Sequence, residues 1–329
     1  MTGRAPIAAL GAGRMGRGIA IVFAFAGHQV ALVDIKDRDE AGRTTTRQAA
    51  LSEITNTLQM LATIGMLRAD QVGQIAARVA FHDLPSAPDA LAAADFVFEG
   101  VPETLEAKQQ ALEFASLHMR DDAILASTTS TILSDELQAF YDPPQQFLNA
   151  HWLNPAYVVP LVEVSPGAKT DPGVTKALTE LLEGIGKVPV VCKASPGYIV
   201  PRIQTLAMNE AARMVEEGVA SAEDIDKATK YGFGFRFAVL GIPEFIDFGG
   251  GDILYYASRY MSAAMDDHRF AAPKIISDNM EKGRIGLSTG KGFLDYENMD
   301  IDAYKLDRQR AFVEMLRHMD MLRPPVDED

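Results

Sequence analysis

Apolar runs of strand length recur through the first part of the chain: Pro6 to Leu10, Gln29 to Val33, the start of Ala94 to Glu103, Asp122 to Ser127, Phe147 to Trp152, Leu161 to Val164 and Val188 to Cys192. Longer segments of helical period separate most of them. Gly18 to Gly27 reads as a buried helix closed by glycine. Residues from about Arg38 to Arg78 read as two helices, because Leu51, Ile54, Leu58, Leu61 and Ile64 recur at helical spacing before Gly65. A further helix starts near Leu105, Ser134 is placed to cap a short one, and another spans about Pro172 to Ile185. Strand alternating with helix predicts a layered α/β half. After Ser195-Pro196-Gly197 the pattern becomes helical only: Ile199 to Glu217, a helix opened by the capping box Ser221-Ala222-Glu223-Asp224, then Pro243 to Met261, Pro273 to Glu281 and Ala303 to Met321. The expected domains are therefore 1–194 and 195–329, the second all-helical.

The first strand runs into Gly11-Ala12-Gly13-Arg14-Met15-Gly16, a helix follows, and the second strand ends in Asp34. In this arrangement the first glycine makes the turn, the second lets backbone approach a pyrophosphate, and the third lets helix pack on strand. Asp34 lies 18 residues beyond Gly16, where a carboxylate accepts hydrogen bonds from a ribose diol and repels a 2'-phosphate. No arginine follows it directly, so the predicted cofactor is NAD rather than NADP, on an α/β Rossmann-type doubly wound, mostly parallel sheet. Gly11, Gly13, Arg14, Met15, Gly16 and Asp34 are the expected cofactor contacts.

Later strands carry the candidate chemistry. His151 ends one apolar run and Glu163 lies inside the next, with Asn154-Pro155 turning the chain between them. A carboxylate on one imidazole nitrogen fixes the tautomer and raises basicity, as a general base acting on an alcohol requires. Unrelated packing roles for the two residues are the bland alternative. Glu99 and Glu103 sit near the carboxyl end of a strand, where open α/β sheets bind ligands. Ser127 to Thr131 is a hydroxyl cluster that either orients a substrate oxygen or makes an ordinary turn.

Composition narrows the partners. The 329 residues are 47% hydrophobic with a formal charge of −14 and no long Lys/Arg run, which argues against nucleic acid or an anionic membrane as partner. A single cysteine, Cys192, makes no internal disulfide and fits a reducing, cytoplasmic setting. Arg14 and Arg17 interrupt the apolar N-terminus, against a signal peptide, and no apolar run of membrane-spanning length follows. No metal site is expected.

Taken together, Gly11 to Ala20, Glu99-Gly100-Val101-Pro102-Glu103, the hydroxyl cluster, His151-Trp152-Leu153-Asn154-Pro155, Leu161-Val162-Glu163-Val164, Ser195 to Val200 and Gly286 to Phe293 closely resemble the 3-hydroxyacyl-CoA dehydrogenase family. That family includes the gulonate dehydrogenase/lambda-crystallin and carnitine dehydrogenase branch. The resemblance implies that His151 takes the proton of a 3-hydroxyl while hydride passes to the nicotinamide, with Glu163 paired to the imidazole. It implies that Ser130 contacts substrate, that Glu103, Lys108 and Asn154 lie near the nicotinamide half of the cofactor, and that the helical half forms a homodimer.

Two departures qualify the substrate. Pro201 stands where the family usually has an asparagine that helps hold the substrate carbonyl, leaving Arg202, Ser130 and Asn154 as candidates for that task. Cations that would meet CoA phosphates are sparse, with no Lys or Arg between Gln48 and Leu67 and with Ser288 where relatives often have lysine. Arg236, in Gly234 to Gly241, resembles the gulonate and carnitine branch and is either a carboxylate clamp or an interface ion-pair residue. The leading expectation is oxidation of a 3-hydroxybutyryl-CoA-like substrate. The second is oxidation of a small free 3-hydroxy acid or polar analogue, and the third a NAD-binding structural protein with little catalysis.

Overall fold

The computed structural model describes residues 4–325. The chain divides into two compact units, one ending at Met208 and the other beginning at Asn209. In the first unit the strands are β1 (Ile7–Leu10), β2 (Val30–Val33), β3 (Val79–His82), β4 (Phe96–Glu99), β5 (Ile124–Ser127), β6 (Phe147–Trp152), β7 (Leu161–Pro166) and β8 (Val188–Val191). Its helices are α1 (Arg14–Phe25), α2 (Glu40–Thr63), α3 (Val72–Ala76), α4 (Ala87–Ala92), α5 (Leu105–His118), α6 (Ser134–Gln138) and α7 (Pro172–Gly184), and it contains the start of α8 (Val200–Glu216).

The eight strands form one sheet in the order β3-β2-β1-β4-β5-β6-β7-β8. Every neighbouring pair is parallel except β6 with β7. The strand order reverses between β1 and β4, and at such a switch point the loops diverge and open a ligand crevice at the carboxyl edge. Apolar side chains from both faces make the core. Trp152, Phe23 and Phe98 pack against one another on one side, while Leu10, Leu112, Leu125 and Phe147 are buried on the other. The expected α/β class is the one observed.

Helices α2 and α3 occupy the Arg38 to Arg78 segment as expected, and three local features differ from the sequence reading. The segment after α2 is a 3-10 turn and the five-residue α3, followed by a strand, β3, that the four-residue run Val-Ala-Phe-His is too short to announce. Helix α4, also unexpected, follows it. Ser134 does not cap α6; it is the first helical residue, and its hydroxyl donates to the Pro166 carbonyl at 3.3 Å.

The second unit contains the end of α8, then α9 (Ala222–Ala228), α10 (Phe235–Phe237), α11 (Ile242–Gly249), α12 (Gly251–Ala264), α13 (Lys274–Glu281) and α14 (Ile301–His318). Ser221 caps α9 as expected, accepting from the Asp224 amide at 3.1 Å. Asp247 of α11 is buried and accepts from the Phe293 and Leu294 amides and the Tyr296 hydroxyl, which fastens the end of the Gly286 to Phe293 motif to this helix. Among the described residues no helix is long and apolar enough to cross a membrane, and no cluster of three or more His, Cys, Asp or Glu could hold a metal ion.

Candidate active site and cofactor crevice

The glycine loop sits at the switch point. Gly11 has φ +112°, and a Cβ there would lie 2.8 Å from the Gly100 carbonyl oxygen at the end of β4. A Cβ on Gly16 would overlap the Gly11 carbonyl oxygen. Both positions therefore require glycine for the chain's own packing. Gly13 differs, since its Cβ would meet no protein atom nearer than 3.9 Å, so the space beside it is open on the side where a pyrophosphate would approach. It precedes the N-terminus of α1, which has no side-chain cap and whose free amides favour an anion.

A cavity of about 410 Å³ runs from this loop to Asp34, bounded by Arg14, Lys36, Arg38 and Val101. An open second glycine, uncapped helix amides and an acid at the end of β2 together fit a dinucleotide. Asp34 is buried, and one of its oxygens accepts from Arg38 Nε at 2.8 Å. Thus an arginine does reach this carboxylate, from four residues further on. Met15 is half-buried beside Gly100. Arg14 is exposed and, with Arg17, also borders a second cavity of about 270 Å³ between α1, α2 and the loop after β6, where Asn154 lies.

Antiparallel pairing of β6 and β7 sets His151 directly opposite Glu163. Opposite residues share a face of the sheet, so the two side chains meet. His151 is 4% exposed and Glu163 fully buried, with Nδ1 2.7 Å from Oε2. An acceptor carboxylate makes Nδ1 the protonated nitrogen and leaves Nε2 with its lone pair. The other Glu163 oxygen accepts from the Ile199 and Val200 amides, both at 2.8 Å. One carboxylate thus orients the imidazole and fastens the first turn of α8. Pro201 is the second residue of that helix, where a missing N–H leaves nothing unpaired.

A second buried network links the ends of β4 and β5 to α5. Glu99 and Lys108 are both fully buried, and Lys108 Nζ lies 3.1 Å from each Glu99 oxygen. Glu99 also accepts from the Val101 amide at 2.7 Å and the Ser127 hydroxyl at 2.5 Å. Glu103 lies 3.3 Å from Lys108 and accepts from the Thr129 hydroxyl, the Ser130 amide and the Thr131 amide and hydroxyl. Burial works against ionisation of Glu103, but the Thr129 hydrogen bond, the Lys108 charge and the other donors outweigh it and hold the carboxyl below its usual range. The hydroxyl cluster is therefore organised around Glu103. Ser130 is exposed, and its hydroxyl has no protein partner among the described residues.

Of the remaining candidates, Asn154 and Arg202 are exposed, and Arg202 donates its amide to the Gly197 carbonyl at 3.0 Å. Arg236 belongs to the second unit, where Nε donates to the Gly232 carbonyl at 3.0 Å and the guanidinium lies 5.1 Å from the Phe245 ring centroid. Sequence reasoning missed Glu99 as the partner of Lys108, a pairing that a nine-residue strand-to-helix separation does not signal. It also missed Tyr198, whose ring stacks on His151.

The match to known proteins covers both units. The 3-hydroxyacyl-CoA dehydrogenase NAD binding domain matches residues 6–195 and the 3-hydroxyacyl-CoA dehydrogenase C-terminal domain residues 197–296. The chain is 31% identical to 5-formyl-3-hydroxy-2-methylpyridine 4-carboxylate 5-dehydrogenase of Mesorhizobium japonicum, over 94% of this chain and 97% of that one. It is also 31% identical to 3-hydroxybutyryl-CoA dehydrogenase of Bradyrhizobium diazoefficiens, over 88% and 94%. A 3-hydroxyacyl-CoA dehydrogenase structure from Archaeoglobus fulgidus superimposes with a TM-score of 0.75 at 29% identity, covering 97% of this chain and all of that one. The chain belongs to the 3-hydroxyacyl-CoA dehydrogenase family and is a NAD-dependent oxidoreductase acting on CH–OH.

Proposed function

We propose that the protein oxidises the 3-hydroxyl of a short 3-hydroxyacyl-CoA, resembling 3-hydroxybutyryl-CoA, to the 3-oxo compound. The observation that carries this reading is the His151–Glu163 pair at the carboxyl edge of the sheet, 2.7 Å apart and buried. Oxidation removes a hydride from the carbinol carbon and a proton from its oxygen. Bound NAD supplies the hydride acceptor, held by the Gly11 to Gly16 loop and Asp34. His151 Nε2 receives the proton, and Glu163 steadies the resulting imidazolium. Pro201 offers no donor to the acyl carbonyl, so Ser130, Asn154 and Arg202 are the groups we assign to hold it.

A second reading, oxidation of a small free 3-hydroxy acid or polar analogue, draws on two observations. One relative of nearly full coverage is named for a pyridine carboxylate substrate. In addition, α2 offers no cation to a CoA phosphate beyond Gln48. Arg236, exposed and bonded only to a backbone carbonyl among the described residues, is the carboxylate anchor in that reading. NADH formation measured across short 3-hydroxyacyl-CoA thioesters and free 3-hydroxy acids separates the two. The thioester reading requires the higher kcat/KM with 3-hydroxybutyryl-CoA and an Arg236→Ala variant whose KM for it is unchanged. If free acids are preferred and Arg236→Ala raises their KM about tenfold or more, the loss of a charged hydrogen bond, the second reading holds.

We also propose that the protein is a homodimer through its helical half. Ile253, Tyr256 and Tyr260 lie three and four residues apart on α12, and all are more than 60% exposed. Such a stripe on one helix face is a surface for another apolar face. Light scattering should return twice the chain mass, and a monomeric mass at micromolar concentration would reject the assignment.

A further inference from the structure

We infer that Tyr198 is a positioning residue for His151, setting the plane of the imidazole and hence the direction of Nε2. The inference rests on His151 as the base. A hydrogen bond at Nδ1 fixes one edge of an imidazole, but the torsion about Cβ–Cγ is soft and the ring plane can still rock about that bond. The Tyr198 ring lies against the His151 ring with centroids 5.1 Å apart and planes 10° from parallel. A parallel face at that distance is an offset stack, and tilting the imidazole would drive it into the phenol ring.

Tyr198 is itself held from several directions. Its φ of +44° is in the left-handed region, a costly backbone state for an aromatic residue that persists only when the surroundings over-determine it. It follows Gly197 at φ +73°, and the reversal made by these two residues delivers the Ile199 and Val200 amides to Glu163. At the far end of the ring the phenol accepts from Asn149 Nδ2 at 2.9 Å and donates to the Thr129 carbonyl at 3.1 Å. Asn149 and His151 are two residues apart on β6 and so share its face. The ring is pinned by its hydroxyl at Asn149 and lies over the imidazole at His151. Burial pushes the phenol well above its usual range, so it remains a neutral donor. Thr129 in turn bonds Glu103, so Tyr198 joins the base to the loop that carries Ser130.

Tyr198→Phe keeps the ring and loses the hydroxyl bonds, whereas Tyr198→Leu loses the stacking plane. Since misplacement of a reacting group by about 1 Å costs on the order of 100-fold, kcat should fall about 10- to 100-fold in the leucine variant, with KM for NAD within about twofold of wild type. The phenylalanine variant should retain kcat within about fivefold. Carbon-13 relaxation of the His151 ring in the cofactor-free protein supplies a readout independent of turnover: an ordered ring in wild type and Tyr198→Phe, and added ring motion in Tyr198→Leu. Wild-type kcat and an imidazole as ordered as in wild type in Tyr198→Leu would overturn the inference. If the leucine variant does not fold, Tyr198→Phe still decides, because a tenfold or greater loss in that folded variant would contradict the role given to the ring. His151→Gln distinguishes the two levels: turnover retained there removes the base assignment itself, while an inactive His151→Gln beside an unimpaired Tyr198→Leu removes only the positioning role.

Discussion

Exchanging His151 for glutamine is expected to lower kcat by about 10² to 10⁴, the range a positioned general base contributes, while leaving NAD affinity within about twofold. Glutamine is polar and of similar reach, so its amide can still donate to Glu163 and keep the carboxylate solvated. It has no basic nitrogen, and the alcohol proton then has no acceptor at that position. Affinity for NAD should persist because the groups that fit the cofactor, the Gly11 to Gly16 loop and Asp34, lie at the ends of β1 and β2, whereas His151 is on β6. Stopped assays of NADH formation beside titration calorimetry of NAD would measure both quantities. A variant that turns over at the wild-type rate would transfer the role of base to another group.

Replacing Lys108 with methionine should destabilise the first unit more than any exposed charge change. Lys108 and Glu99 are fully buried, and the substitution leaves the Glu99 carboxylate with only the Val101 amide and Ser127 hydroxyl as donors. Breaking a buried pair by removing one partner costs about 3–5 kcal/mol. At about 2–4 °C per kcal/mol for a body of this size, thermal unfolding should move down by roughly 6–20 °C. The Lys176–Glu180 pair provides the contrast, since its side chains are 76% and 64% exposed and its removal should cost under about 1 kcal/mol. Adding Glu99→Gln to Lys108→Met should recover part of the loss, because a neutral amide tolerates the dry site better. An unchanged melting temperature in Lys108→Met would show that the pair contributes nothing to the fold.

Sequence conveyed the fold where local signals agreed with the global one. β1, the glycine loop, α1, β2 and Asp34 are contiguous, and each glycine answers a local steric demand, so this unit is readable without coordinates. The dyad was readable as two ionisable residues on neighbouring apolar runs, and the connection through Asn154-Pro155 is too short for a helical crossover, which favours an antiparallel pair, but the register that sets them opposite is a property of the sheet. β3 was hidden because four residues carry too little periodicity and its pairing with β2 comes from far along the chain. Arg38 reaches Asp34 because the chain bends after β2, a geometry that four-residue spacing alone does not convey. Tyr198 was visible only as an aromatic after Pro-Gly. Its contact with His151 depends on two consecutive left-handed residues folding the chain back across β6, and only the assembled sheet shows what that turn covers.

In the proposed mechanism hydride leaves the carbinol carbon of a 3-hydroxy substrate while His151 holds the proton. A single turnover with the preferred substrate from the thioester and free-acid panel, carrying deuterium at C3, follows both transfers at once. Mass analysis of the reduced cofactor should show one deuterium per molecule in the wild-type protein and none formed on the same timescale in His151→Gln. Reduced cofactor without the label would rule out hydride transfer from C3, and equal label transfer by His151→Gln would rule out His151 as the base.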